Sequence, residues 1–304
     1  MSDLERRAAG CLLGLACGDA LGGTVEFMPR QEVASRYPDG LRDIVGGGPH
    51  RLEPGEYTDD TAMALAISRA CTADGIDLDA VAAGFVDWYR SGPKDIGNAT
   101  ANALRLLDRG VPWQDAGEQL QAASRDGVAG NGTVMRCAPI AIRFLTDPKR
   151  LRKASIETSR MTHADPRATW GAVALNQAIA WLLEGGEIAG AQAAAVADVD
   201  DMRVVAALGA VPHISRDDIC SGGYVLDTLQ AAFWCLERSE SAEEAIVQAV
   251  MLGDDADTTG AVAGALAGAA YGVDRLPDRW LAVLHDRDEI RELALQLAGW
   301  STPR

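Results

Sequence analysis

Residues 9–23 read AGCLLGLACGDALGG, and residues 258–272 read TTGAVAGALAGAAYG. In the first stretch Gly10, Gly14, Gly18 and Gly22 recur at every fourth position. That spacing puts them on one face of a helix, where missing side chains let a second backbone come close. Glycine costs roughly 1 kcal/mol per helix position relative to alanine, so a full row of them needs a return in packing. The second stretch has the same small-residue texture. The two helices are expected to pack unusually closely at the centre of the protein.

Outward from these stretches the chain reads as helix after helix. LDAVAAGFVDWYR (78–90), ATANALRLLDRG (99–110), ATWGAVALNQAIAWLLEGG (168–186), VLDTLQAAFWCLERS (225–239) and SAEEAIVQAVML (241–252) repeat apolar residues at spacings of three and four. Ser241 and Glu244 match a capping box, and Gly185–Gly186 reads as a helix stop. Strand-like alternation is scarce and no βαβ unit is evident. The reading is an all-α protein, one domain over residues 1–304, because no proline-rich linker or composition change divides it. The longest helix-free stretch is expected at residues 28–56, with VGGGPH and LEPGE, as an active-site loop.

Composition narrows the function. The 304 residues are 48% hydrophobic, ample for a core, and carry a net charge of −16, which disfavours nucleic acid and anionic lipid as partners. Six cysteines include no C-x-x-C pair and four histidines no H-E-x-x-H, which argues against zinc-ribbon, thioredoxin-like and metalloprotease sites. The start, MSDLERRAAG, is charged, and the apolar runs are too short for a signal peptide or a membrane span. The expectation is a cytoplasmic protein with no membrane insertion.

Two acidic clusters remain: GEYTDDTAMALA at 55–66 and GDDADTTGAVAG at 253–264. Thr58 or Asp59 would serve as an N-cap, and a helix N-terminus tolerates negative charge. Capping needs one such residue, however, and each cluster holds a surplus. If the two helix starts meet, Asp59, Asp60, Asp255 and Asp257 crowd together without a matching row of Lys or Arg. Like charges at close range raise one another's pKa or drive the groups apart. One or two divalent cations resolve this, since carboxylates and threonine hydroxyls suit Mg²⁺ or Mn²⁺.

At this point the chain resembles the ADP-ribosylglycohydrolase family almost end to end. The motifs are GLACGDALGGTVEF (14–27), GEYTDDTAMAL (55–65), PKDIGNAT (93–100), AGNGTVMRCAPIA (129–141), THADP (162–166), GGYVLDTLQAA (222–232) and GDDADTTGAVAGALAGAAYG (253–272). The resemblance implies an all-helical domain with a two-metal Mg²⁺ or Mn²⁺ cleft that cleaves ADP-ribose from modified side chains. Its metal ligands carry over to Thr58, Asp59, Asp60, Asp255, Asp257 and Thr258; Asp254 is an extra acid outside that set. Glu26 would orient or activate the attacking water, and Asp95 would hold an arginine guanidinium at the leaving group. Asp60 joins these two as catalytic. The backbone of Gly130, Asn131 and Gly132 would cradle the diphosphate. His163 would contact ribose or phosphate, and Tyr224 would stack on adenine or line the pocket.

The implied reaction removes ADP-ribose from protein arginine, with the metals on the ribose hydroxyls and water attacking C1 through an oxocarbenium-like transition state. The partner is a mono-ADP-ribosylated protein or a small ADP-ribosyl compound, and the enzyme is expected to work as a monomer. A serine-linked or O-acetyl-ADP-ribose substrate keeps the same site with another bond. A non-catalytic ADP-ribose-binding protein is the alternative of another class.

Overall fold

Among the described residues, 1–301, the computed structural model contains sixteen α-helices and no β-strand. They are α1 (Asp3–Gly22), α2 (Arg30–Arg36), α3 (Asp59–Ala70), α4 (Leu78–Arg90), α5 (Asn98–Asp108), α6 (Trp113–Ala123), α7 (Ala138–Arg143) and α8 (Pro148–Arg160). The second half adds α9 (Pro166–Leu183), α10 (Ile188–Ala195), α11 (Met202–Ala210), α12 (Val225–Glu237), α13 (Ala242–Val250), α14 (Ala256–Tyr271), α15 (Asp278–Val283) and α16 (Arg287–Ser301). No helix is long and apolar enough to cross a membrane among the described residues.

The glycine faces of α1 and α14 meet as expected. A Cβ on Gly10 would run into the carbonyl oxygen of Gly268, one on Gly14 into that of Gly264, and one on Gly18 into that of Gly260. One on Gly22 would strike the backbone of Ala256 and Asp257. The partners descend as α1 ascends, so the helices are antiparallel with their backbones in contact. This register brings the end of α1 to the start of α14. At the opposite end the Arg7 guanidinium donates to the Ala269 and Ala270 carbonyls, satisfying the exposed end of α14.

Around this pair, α9, α12, α13 and α16 complete one apolar core. A second cluster forms where α3, α4, α5, α7 and α8 pack, with Phe85, Ile67 and Leu104 fully buried. Each such side chain contributes about 1.5–3 kcal/mol by leaving water.

Two local expectations need correction. Residues 28–56 are not free of helix: α2 lies within them, begun after Pro29 and anchored by the buried Val33. At α13 the Ser241 hydroxyl accepts from Glu244 N, but the Glu244 carboxylate turns back to Glu240 N, so the box does not close. The complete capping box sits at α1, between Ser2 and Glu5. Five of the six cysteines are buried, but Cys220 is exposed in a loop.

Candidate active site

The register of the two glycine faces sets the last turn of α1 beside the starts of α3 and α14. Asp19 lies at this junction, fully buried. Its carboxylate accepts from Thr58 N and Oγ1, each at 2.9 Å, and from Thr61 N at 3.0 Å and Oγ1 at 2.6 Å. Asp19 therefore caps α3 from another helix. Thr58 occupies the N-cap position, yet its own hydroxyl makes no capping bond. Burial pushes the Asp19 carboxyl up to about 6 against these four hydrogen bonds. The sequence signal for Asp19 is a lone charge inside an apolar, glycine-faced helix.

Released from capping, the threonines cross between clusters. Thr58 Oγ1 lies 3.3 Å from Asp257 Oδ2, and Thr258 Oγ1 lies 3.3 Å from Asp60 Oδ1. Asp255 Oδ2 accepts from the Asn131 amide at 2.9 Å, which ties the Gly130–Gly132 turn to the same cluster. The six residues expected as ligands thus converge. Burial, followed by repulsion from neighbouring carboxylates, holds Asp59, Asp60 and Asp257 well above the usual carboxylate range. Arg136, buried behind the cluster, supplies a counter-charge that a motif-by-motif reading overlooks. Burial lowers its guanidinium to about 10, while Asp59 and Asp60 oppose that shift. It donates to Thr158 O and Thr162 Oγ1.

One cation cannot balance this many carboxylates, and two of their oxygens, Asp60 Oδ2 and Asp257 Oδ1, are buried without a hydrogen-bond partner. Orphaned carboxylate oxygens among carboxylates and threonine hydroxyls fit hard divalent cations.

A second constellation forms one wall. Glu26 Oε2 lies 2.9 Å from His50 Nε2, which lies 3.4 Å from Asp95 Oδ1. His50 Nδ1 faces the Lys94 carbonyl at 3.1 Å, so Nδ1 carries a proton and Nε2 is turned to the two carboxylates. Asp95 adds to the burial that raises the Asp59 carboxyl. Burial, then Asp95, Asp255 and Asp59, push Glu26 up to about 9. The donor atoms of Glu26, His50 and Asp95 lie within 4.8 Å of one another, close enough to hold a cation as well as to share a proton. His50 is absent from the sequence-based set. Its signal is slight, a single histidine after the GGG of the loop.

Glu26 is aimed by a backbone clasp. Phe27 has φ +61 and donates its N–H to Asp254 O at 2.6 Å; Asp254 has φ +54 and donates to Met28 O at 2.9 Å. Left-handed conformations cost a non-glycine residue about 1–2 kcal/mol each, so the clasp is bought by the surrounding packing. Asp254 is exposed and serves the cluster through its main chain.

The cleft itself is a cavity of about 400 Å³. Glu26, Phe27, Asp59, Asp95, the Gly130–Gly132 turn, His163, Asp255, Asp257 and Thr258 line it. Thr58 and Asp60 are buried and do not line it, but reach its Asp257 and Thr258 by the crossed contacts. His163 packs against the turn so closely that a Cβ on Gly132 would lie 2.7 Å from its Cε1. Its Nδ1 is 2.8 Å from Thr162 Oγ1, and burial together with Arg136 lowers it to about 3, so the ring is neutral. Tyr224 pairs with Gly130 through its backbone, but its ring carries the Arg167 guanidinium, 5.6 Å from the centroid, and does not line the cavity. A larger hollow of about 710 Å³ between α3 and α4 shares Asp59 and Asp95 with the cleft and is lined by alanines together with Glu56, Thr58, Arg69, Asp87 and Lys94.

An all-helical fold with an acidic, threonine-crossed cleft beside a carboxylate–histidine wall defines a hydrolase-type site. Comparison with known proteins gives its lineage. The ADP-ribosylglycohydrolase family profile matches residues 1–303. The ADP-ribosylarginine hydrolase Tri1 of Pseudomonas putida is 38% identical over 300 residues, covering 96% of this chain and 77% of that protein. The ADP-ribosyl-(dinitrogen reductase) glycohydrolase of Rhodospirillum rubrum is 36% identical over 294 residues, covering 96% and 94%. A solved structure described as an ADP-ribosylglycohydrolase-related protein complex superposes with a TM-score of 0.85 at 35% identity, covering 99% of this chain and 100% of that one. The chain belongs to the ADP-ribosylglycohydrolase family and is an ADP-ribosyl hydrolase.

Proposed function

We propose that the enzyme cleaves the N-glycosidic bond between ADP-ribose and a protein arginine, using two divalent cations, Mg²⁺ or Mn²⁺. The observation that carries this reading is the crossed pairing of Thr58 with Asp257 and Thr258 with Asp60 around two orphaned carboxylate oxygens. Thr58, Asp59, Asp60, Asp255, Asp257 and Thr258 would hold the cations, whose charge would polarise the ribose hydroxyls and the attacking water.

The protein's own groups do the rest. The Gly130–Gly132 backbone receives the diphosphate, which lets so acidic a chain accept an anionic ligand without a basic patch. His163, held neutral, supports that turn. Glu26, which would return to its ionised form beside the cations' charge, orients the water and takes its proton at Oε2, and His50 Nε2 is placed to receive that proton. Asp95 holds the guanidinium through charge-assisted hydrogen bonds. As the C1–N bond breaks, hydroxide adds to C1 and the proton passes to the departing guanidine nitrogen. Arginine is favoured by the acidic wall, and both curated relatives above carry names for arginine or protein de-modification.

The test is release of free ADP-ribose from an arginine-ADP-ribosylated protein, with Mn²⁺ and with chelator, beside a serine-linked conjugate. Metal-dependent release from the arginine conjugate alone is expected. Release only from the serine conjugate overturns the acceptor, and release in chelator overturns the metals.

A further inference from the structure

Phe27 is out of place by the ordinary rules of burial. It is a large aromatic, 65% exposed, in a left-handed backbone conformation that favours glycine. The clasp with Asp254 fixes that conformation at both ends. Strain kept at a cleft is a reason to ask what the side chain does there.

Three observations converge on an answer. Phe27 lines the cleft and its ring meets His50 edge to face, centroids 6.0 Å apart, while His50 Nε2 in turn lies 3.4 Å from Asp95 Oδ1. Among the described residues lining the cleft it is the only Phe, Tyr or Trp, since the Tyr224 ring is taken by Arg167. No Lys or Arg lines the cleft among the described residues, while Glu26, Asp59, Asp95, Asp255 and Asp257 do. A π face beside Glu26 and Asp95, the two cleft carboxylates not assigned to the divalent cations, suits a planar cation that arrives with the substrate.

We infer that Phe27 is an acceptor-selecting residue, its ring stacking on the substrate's guanidinium while Asp95 binds the same group from its edge. This rests on the arginine reading above and adds the means of selection. A guanidinium gains from both partners, because it stacks on aromatic faces and forms bidentate bonds in its own plane. A serine glycosidic oxygen gains from neither. The exposed ring thereby discriminates between acceptors while ADP-ribose binding depends on the turn and the acidic floor.

The experiment compares wild type with Phe27→Leu and Phe27→Trp. It measures kcat/KM on the arginine conjugate with Mn²⁺ and the Kd of free ADP-ribose by calorimetry. Leucine keeps bulk and removes the π face; tryptophan keeps a face. Phe27→Leu is expected to lose about tenfold in kcat/KM with ADP-ribose affinity unchanged, and Phe27→Trp to retain turnover. An equal loss in ADP-ribose affinity assigns the ring to the nucleotide and overturns the inference. Unchanged turnover in Phe27→Leu overturns it with the arginine reading intact. Wild type that binds ADP-ribose yet releases none from the arginine conjugate overturns both together.

Discussion

Thr58 Oγ1 lies 3.3 Å from Asp257 Oδ2 across 199 residues of chain. Its counterpart, Thr258 to Asp60, has the same length. Each acidic cluster thus contributes a hydroxyl to the other's carboxylate, so neither half is a site alone. The surplus of acids at each helix start follows from this division, because capping of α3 is done by Asp19 and the local acids are left for the cleft.

Asp60→Asn and Asp257→Asn should separate function from stability. Either change removes a buried, strongly perturbed carboxylate. Turnover and Mn²⁺ binding should vanish, while far-UV circular dichroism stays helical and the melting temperature in chelator stays equal or rises. Full turnover without bound metal in either variant would end the cation argument.

The metal-free protein should lose stability between pH 6.5 and pH 9. Glu26 is raised from 4.5 to about 9, so the folded state keeps a proton that the unfolded chain has released. Its contribution is complete at low pH and is lost as pH climbs toward the folded value. His163, lowered from 6.5 to about 3, opposes this only below pH 6.5. In chelator, Tm should drop by roughly 2 °C per pH unit across the window. Mn²⁺ should raise Tm more at pH 8.5 than at pH 6.5, because cation and proton compete for the same oxygens. A flat, metal-insensitive Tm would contradict the electrostatics described above.

Glycine substitutions should divide sharply by position. A methyl at Gly18 meets the Gly260 backbone, so Gly18→Ala should cost about 3 kcal/mol or more of unfolding free energy in urea. Gly209, within α11 and with nothing within 4 Å, should accept alanine and gain about 0.5 kcal/mol. Equal effects at both positions would refute backbone contact between α1 and α14.

Asp19→Ala removes the acceptor for four hydrogen bonds at the start of α3. Two backbone donors are left in a buried place, so the urea midpoint should correspond to a loss of about 2–4 kcal/mol. Mn²⁺ affinity should fall with it, because Thr58 loses its anchor. A neutral effect on both would mean that Asp19 does not set the position of α3.

Much of this was open to reading because it is periodic or local. The four-residue glycine repeat identified the central pair, and the apolar spacing of residues 78–90 matches α4 end for end. The residues that escape reading act at a distance. Asp19 caps a helix 39 residues away, His50 joins Glu26 to Asp95 from inside an irregular loop, and Arg136 hides in an apolar motif whose buried face cannot be told from sequence. Tyr224 is joined to the cleft by its backbone pairing with Gly130, while its ring lies against Arg167, a contact that no local motif announces.

The pairing of Gly18 with Gly260 also governs when the protein can work during its own synthesis. Helix α1 leaves the ribosome long before α14, whose backbone it is shaped to touch. Until then its bare glycine face has no partner, and the acids at the start of α3 face nothing that could complete the cleft. Such non-local closure is slow and comes late. A chain translated only as far as α13 therefore holds half a cleft, and activity waits for α14.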